Sequence, residues 1–212
     1  PINAILNSTS LIKEEFDKNL NKSEYSDFFE ITESASRRII RTVELVLNMS
    51  QVTTGTYVAN KKGLDLLEDV LDNLFHQFIP MAVAKNLRFN VNLNTEDTHI
   101  SADEYSIIQI FNNLFDNAIK YTSEGEINIT VDRTGDNELF VSVKDTGIGI
   151  SKEFLPHLFN SFSQEYQGYT RKFEGNGLGL ALAKKYCEIN NADIIVDSTK
   201  GVGSEFTVVF KQ

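Results

Sequence analysis

The order of apolar and polar positions divides the chain into a helical beginning and a mixed remainder. From Pro1 to Leu20 the apolar residues Ile2, Ile5, Leu6, Leu11, Ile12, Phe16 and Leu20 recur at helical steps, and Pro1 suits a first-turn position. A polar connection, Asn21–Ser26, follows, in which Ser23 is placed to cap a second helix running to about Thr53. Along that helix Phe28, Ile31, Ala35, Ile39, Val43, Val46 and Met49 step by threes and fours, and Ile40 and Leu47 widen the stripe. Two helices joined by so short a loop form an antiparallel hairpin, and a stripe this wide cannot be covered by the hairpin alone. The pattern therefore predicts a four-helix bundle completed by a second copy of the chain, a homodimer.

Thr53–Gly63 is polar and holds two glycines, which places a boundary between a hairpin domain, 1–55, and a second domain, 62–212. Beyond it, Leu64–Lys85 reads as a helix that Pro80 should bend or break. Leu87–Leu93 alternates as a half-buried strand does, and a short strand is expected near Thr98–Ser101. Glu126–Arg133 and Glu138–Lys144 alternate around Thr134-Gly135-Asp136-Asn137, a hairpin signal. A helix at Gly177–Asn190 and a second hairpin, Ala192–Ser198 with Glu205–Lys211, close the chain. The expected fold is a helical hairpin followed by an α+β sandwich, with helices on one face of a mixed, mostly antiparallel sheet.

One helix carries polar residues in a pattern of its own. Between Ile107 and Thr122 the apolar stripe is Ile107, Ile108, Ile110, Phe111, Leu114, Phe115, Ala118 and Ile119. Asn113, Asn117 and Lys120 recur at i, i+4 and i+7 and share a different face. An amide oxygen on that face can ligate a hard divalent cation, and a lysine one turn on can meet a phosphate. Taken alone, the face is equally that of an ordinary solvated helix.

The formal net charge of −10 changes what such a face can serve. Nucleic acid and anionic membrane surfaces are repelled, so neither is an expected partner. A polyphosphate could be held only with local help from a cation, backbone amides or a few placed Lys and Arg. No apolar run approaches the roughly 18 residues of a membrane helix, and no signal pattern opens the chain. The segment is expected to be soluble and cytoplasmic, with any membrane attachment in segments outside it. The single cysteine, Cys187, excludes an internal disulfide and fits a reducing compartment.

Two further stretches supply what the helix needs. Asp145-Thr146-Gly147-Ile148-Gly149-Ile150 comes off a strand whose last inward position reads as Val143. A carboxylate there can accept from an exocyclic amino group, and the glycines let backbone approach a flat base. A turn with two glycines is also common without a ligand. Phe154–Asn176 is rich in Ser, Gln, Tyr and Gly, carries Arg171 and Lys172, and has the length of a lid or binding loop. It ends in Gly175-Asn176-Gly177-Leu178-Gly179-Leu180, glycines that open a helix and so present free N–H groups to an anion. A dinucleotide fold would want that turn straight after a buried strand, which disfavours that reading.

In this order the three signals resemble the ATP-binding domain of sensor histidine kinases, within the wider set that holds heat-shock chaperone, type II topoisomerase and mismatch-repair ATPases. The resemblance covers about 62–212: an asparagine box at Asn113–Tyr121, Asp145–Gly149, a phenylalanine box at Phe159–Phe162, Gly175–Gly179 and a final turn, Gly201–Phe206. It implies a Bergerat (GHKL ATPase) type sandwich binding ATP and Mg2+. It implies that Asn117 ligates the metal, with Asn113 close to the phosphates and metal. Lys120 would contact phosphate, Tyr121 would flank the adenine, Asp145 would accept from its amino group, and Arg171 would meet the γ-phosphate. Gly147, Gly149, Gly175, Gly177, Leu178 and Gly179 complete the nucleotide site, and Asn113, Lys120 and Arg171 are the expected catalytic residues. Glu174 and Asn176 stand where the family more often has Gly and Thr.

Pro1-Ile2-Asn3-Ala4-Ile5-Leu6 is similar to the run that follows the family's phosphoacceptor histidine, which by that pattern lies before Pro1. His76, His99 and His157 match no acceptor pattern. The chain is therefore expected to bind Mg·ATP without phosphorylating itself, the phosphoryl group passing to a histidine and then to an aspartate on a response-regulator receiver domain. Two other readings stay open: a related ATPase clamp, although no glutamate stands at Asn113 to activate water, and a nucleotide-binding signalling scaffold or pseudokinase.

Overall fold

A continuous helical period from Ser26 to Thr53 produces one long helix, α1 (Ser26–Thr53). The structure, a computed structural model, describes residues 9, 10, 12, 26–165 and 176–211, and the chain divides into two units, Pro1–Thr54 and Gly55–Gln212. In α1, Ser36 and Leu45 are buried, whereas Ile31, Ile39, Val43, Val46 and Leu47 stay exposed. Only Thr9, Ser10 and Ile12 of the first predicted helix are described, and they are helical. The hairpin connection, the Ser23 cap and the bundle lie outside the described residues.

The second unit begins with a strand that the apolar pattern does not announce, β1 (Lys61–Asp65). Its sequence, KKGLD, has no alternation; it is a strand because it pairs antiparallel with β3 (His99–Asp103), Leu64 facing Ile100. The helix expected over Leu64–Lys85 is thereby corrected. Its first two residues end β1, Leu66–Leu71 form a π-helical stretch, and α2 is Asp72–Ala84. Asp65 sets that start, its carboxylate accepting from the N–H groups of Leu67 and Glu68 and from the Thr98 hydroxyl. Leu66, Val70 and Leu71 are buried, a spacing of four and five that suits the wider π turn. Pro80 does not break α2, which continues through it to Ala84.

The main sheet follows the period of two. Its strands are β2 (Arg88–Leu93), β4 (Glu126–Arg133), β5 (Leu139–Asp145), β6 (Ala192–Thr199) and β7 (Gly203–Phe210), ordered β2-β4-β5-β7-β6. β2 runs parallel to β4 and the other neighbours are antiparallel, so the sheet is mixed as expected. Ile127, Ile129 and Val131 of β4 and Phe206, Val208 and Phe210 of β7 are buried on one face. Beneath α3 (Glu104–Tyr121) and α4 (Gly179–Ile189), Phe111, Leu114, Phe115 and Leu182 fill that side of the core. Phe75, Phe78 and Phe89 close it with ring contacts to Phe115 at 5.6–6.0 Å.

Where β5 ends, the β6–β7 turn lies so close that two glycines are obligatory. Gly149 has φ +60, and a Cβ there would stand 2.0 Å from the Thr199 carbonyl oxygen; at Gly203 it would stand 2.0 Å from that of Asp145. Ser198 Oγ joins the two segments, accepting from Ile150 N–H and donating to the Gly203 carbonyl. Gly201 shares the positive φ, at +81, but has open space around it. Gly201→Ala should therefore cost about 1 kcal/mol, the backbone penalty alone. Gly149→Ala should cost at least about 3 kcal/mol by adding a backbone clash to that penalty. Denaturant unfolding of the two variants measures the difference.

Candidate functional site

The site is built on α3, whose start and inward face are fixed by its own residues. Asp103 caps it, accepting from the Ser106 N–H at 3.0 Å, and the stripe Ile107, Ile110, Phe111, Leu114, Phe115, Ala118 and Ile119 is buried. Lys85 Nζ donates to the Ile119 carbonyl at 2.9 Å, engaging an acceptor in the helix's last turn. Asn113 is buried too, although it is off the apolar stripe. Its Nδ2 donates to the Gln109 carbonyl at 2.8 Å, which turns Oδ1 towards α4. A Cβ on Gly179, the first residue of α4, would lie only 2.6 Å from that oxygen. The first signal and the third thus meet at one place.

Along the same face Asn117 and Lys120 are half-buried. The Asn117 amide makes no hydrogen bond within the described residues, so its carbonyl oxygen is available to a cation. Lys120 Nζ lies 4.8 Å from the centroid of the Tyr121 ring. Among the described residues no group of three or more His, Cys, Asp or Glu is placed to hold a metal. A cation here would therefore be held by amide oxygens and by a ligand that brings its own charge.

Asp145 is the last residue of β5 and continues its inward face beyond Leu139, Val141 and Val143, rather than standing outside it. The carboxylate is buried and accepts from the Gly147 N–H at 2.8 Å. Burial raises its pKa to about 6, opposed in part by the N–H groups of Gly147 and Ser204. Gly147 lies where a Cβ would come within 2.4 Å of the Tyr121 carbonyl oxygen, 2.8 Å of Asp145 Oδ1 and 2.9 Å of Thr122 Oγ1. The Thr122 hydroxyl is buried and has no hydrogen-bond partner among the described residues. Gly149 faces the β6–β7 turn, whose backbone by itself requires a glycine there.

Two turns prepare the start of α4. Gly177 has φ +70, and a Cβ on it would stand 2.7 Å from the Ser163 carbonyl oxygen. Its own carbonyl accepts from the Phe162 N–H at 2.9 Å, so the phenylalanine box and the helix start are joined through backbone. Phe162 adopts φ +62, an uncommon conformation for an aromatic residue, and is 67% exposed. Asn176 Oδ1 accepts from the Leu178 N–H at 3.1 Å, and Leu178 is buried. Among the described residues no side chain caps α4 at Leu178, which leaves first-turn N–H groups to an anion.

Of the sequence-predicted residues, Asn113 and Gly179 are brought into contact, and Tyr121, Asp145 and Gly147 are brought together around the Gly147 α-carbon. Arg171 and Gly175 lie outside the described residues, as do Lys172 and Glu174. Thr122 escaped notice; a polar residue held at the junction between a buried helix and a strand was the available signal. The residues present fit a purine nucleotide with a divalent cation: a buried carboxylate and an orphaned hydroxyl at one end, a half-buried free amide between, and an uncapped helix start at the other.

The family model of histidine kinase-, DNA gyrase B- and HSP90-like ATPases matches residues 102–212. The sensor histidine kinase WalK of Bacillus subtilis (strain 168) is 32% identical over 196 residues, 91% of this chain and 32% of the relative. The sensor protein GacS of Pseudomonas syringae pv. syringae is 35% identical over 221 residues, covering 100% of the chain and 23% of the relative. The chain thus spans a third or less of the length of these relatives. Among solved structures, full-length ShkA in complex with AMPPNP has a TM-score of 0.78 at 22% identity, covering 99% of this chain and 42% of that one. The catalytic domain of the histidine kinase ThkA has a TM-score of 0.60 at 25% identity, covering 71% of this chain and 95% of that one.

The raised pKa of Asp145 makes a statement about stability. With an ordinary value of 3.8 and a folded value of about 6, the carboxyl favours folding while protonated, and that contribution is lost as pH rises between the two. Asp145→Asn should therefore be more stable than the parent by about 1–3 kcal/mol above pH 7, with the gap closing towards pH 4. Thermal unfolding across that pH range checks it; a variant less stable at every pH would contradict the assignment of a buried, costly carboxylate.

Proposed function

The chain belongs to the histidine kinase-, DNA gyrase B- and HSP90-like ATPase family and contains a histidine kinase-type ATPase catalytic domain, and from that premise we propose that it binds Mg·ATP and donates the γ-phosphoryl group to a histidine. The observation that carries the reading is the approach of Asn113 Oδ1 to Gly179, which sets the polar face of α3 against an uncapped helix start. Asp145 accepts from the adenine amino group, Tyr121 flanks the ring, and Gly147 lets backbone come close. Asn117 holds Mg2+, with Asn113 beside it, and Lys120, Arg171 and the N–H groups at Gly177 and Gly179 receive the phosphates on either side of Leu178, whose own N–H is engaged by Asn176 Oδ1. The cation supplies neutralisation of phosphate charge, which is most of what phosphoryl transfer asks of a protein besides positioning.

The exposed stripe of α1 (Ile31, Ile39, Val43, Val46 and Leu47) supports dimerisation through a helical bundle, where the acceptor histidine of such kinases belongs. From the histidine the group passes to an aspartate of a response regulator. A structure of ThkA in complex with the response regulator TrrA, similar to this chain with a TM-score of 0.68, supports that class of partner. Among the described residues no helix is long and apolar enough to cross a membrane.

Calorimetry with AMPPNP tests the site. Asn117→Ala should weaken Mg-dependent binding at least about tenfold while leaving Mg-independent binding little changed; equal weakening in both conditions would remove Asn117 as the metal ligand. Because Asp145 must be ionised to accept from an amino group, affinity should fall as pH drops below about 6. Incubated with radiolabelled ATP, this chain should acquire no acid-labile phosphate, since His76, His99 and His157 stand in no acceptor sequence.

A further inference from the structure

We propose that Tyr57 is a positioning residue for the nucleotide site, acting through the Asp103 carboxylate on the spacing of α3 and α4. The inference rests on the nucleotide-binding reading above and adds a residue outside the family's motifs. Tyr57 belongs to the strap between α1 and β1, residues 55–60, which begins at Gly55 with φ +70. Its hydroxyl donates to Asp103 Oδ2 at 2.5 Å, and the N–H of Asn60, from the same strap, donates to Oδ1 at 2.9 Å.

Capping α3 requires only the bond from Ser106 N–H to this carboxylate. The two bonds from the strap are additional, and they hold the side chain of a residue whose backbone ties α3 to α4. Asp103 N–H donates to Asn190 Oδ1 at 2.7 Å, Asn190 Nδ2 donates to Ser106 Oγ at 2.7 Å, and Ser106 Oγ donates to the Asp103 carbonyl at 2.8 Å. This closed ring joins the first turn of α3 to the residue that ends α4, and all three members are buried. Burial alone would raise the Asp103 pKa, but the bonds from Tyr57, Ser106 and Asn60 outweigh it and hold the carboxyl below its ordinary value. The carboxylate therefore carries a full charge, and the bonds it accepts from the Tyr57 hydroxyl and the N–H groups of Asn60 and Ser106 are of the stronger, charge-assisted kind, while the ring itself passes through the backbone of the same residue.

Both helices run from this ring to the candidate site. Eleven residues back along α4 from Asn190 is Gly179, and seven residues on from Ser106 along α3 is Asn113, the pair that meets at the site. With no room for a Cβ between them, a small change in how the helices are clamped at the ring alters that contact directly. Tyr186 of α4 packs its ring 5.5 Å from that of Tyr57 and carries a buried hydroxyl without a partner among the described residues. It is a spare donor close enough to feel the Asp103 charge. Loss of the Tyr57 bond thus leaves the ring a second arrangement to adopt, in which α4 supplies what the strap gave up. The strap follows α1 directly in sequence, so a pull on the chain at Gly55 reaches Asp103 before it reaches the main sheet.

Tyr57→Phe removes the hydroxyl and keeps the ring on Tyr186, and Val58→Ala, at a strap residue 89% exposed, is the control. Amide hydrogen exchange without nucleotide should speed up in Tyr57→Phe at Asn60 and Ser106, and also at Leu182 in the first turn of α4; Val58→Ala should leave all three unchanged. AMPPNP with Mg2+ should bind Tyr57→Phe about three- to tenfold more weakly than the parent. Faster exchange confined to Asn60 and Ser106, or an unchanged AMPPNP affinity, would reduce Tyr57 to a local fastening and overturn the proposal. A parent chain that fails to bind AMPPNP would instead remove the nucleotide reading, and the exchange at Leu182 would still decide whether strap and helix are coupled.

Discussion

Two helices of opposed sense, held at one end by a buried hydrogen-bond ring beside the Asp103 carboxylate and touching at the other without space for a methyl group, set the geometry of the second unit. The ring of Asp103, Ser106 and Asn190 is buried, so breaking any bond in it would leave a polar group without water. The touching point, Asn113 against Gly179, is also the place where chemistry is expected. One constraint thus serves folding and function together. Asn113 is buried because the packed helices leave it nowhere else to go, and Asn117 and Lys120 follow it half-buried along the same face.

That arrangement is costly where the site needs it to be. Asp145 sits on the inward face of β5 with its pKa raised by burial, Thr122 hides a hydroxyl that nothing among the described residues meets, and Phe162 holds a left-handed backbone while exposed to solvent. In a region selected only for stability, each would be replaced. Together they describe a surface with polar groups left unmet, as the proposed nucleotide site requires. The β6–β7 turn offsets part of the cost, locking the end of β5 through Gly149, Gly203 and the Ser198 hydroxyl.

The period of two along Glu126–Arg133 and Leu139–Asp145 was enough to find the central hairpin, and the helical stripe from Ile107 to Ile119 was enough to find α3. The elements that escaped have no pattern to show. β1 is a strand through its pairing with β3, and Leu66–Leu71 is π-helical because the Asp65 carboxylate and three buried residues fit a wider turn. Reading Val143 as the last inward position stopped the alternation one step early, since a carboxylate is not counted as apolar. That one step is the difference between an Asp at the rim and an Asp with a pKa near 6.

Local rules acting over a few residues settled most of what the sequence alone determined: helices and strands from periodicity, turns from glycine, and the kind of chemistry from Asn113, Asn117, Lys120, Asp145 and the glycines at 177 and 179. The order of those motifs was sufficient for the family, because each motif is contiguous. What tertiary structure alone decided were relations between distant segments. These are Asn113 meeting Gly179, Gly149 packed against the β6–β7 turn, Thr122 without a partner among the described residues, and Tyr57 bonded to Asp103 across 46 positions. The reason is physical: a periodicity reports the face a residue presents, while a buried hydrogen bond depends on which other face arrives opposite it.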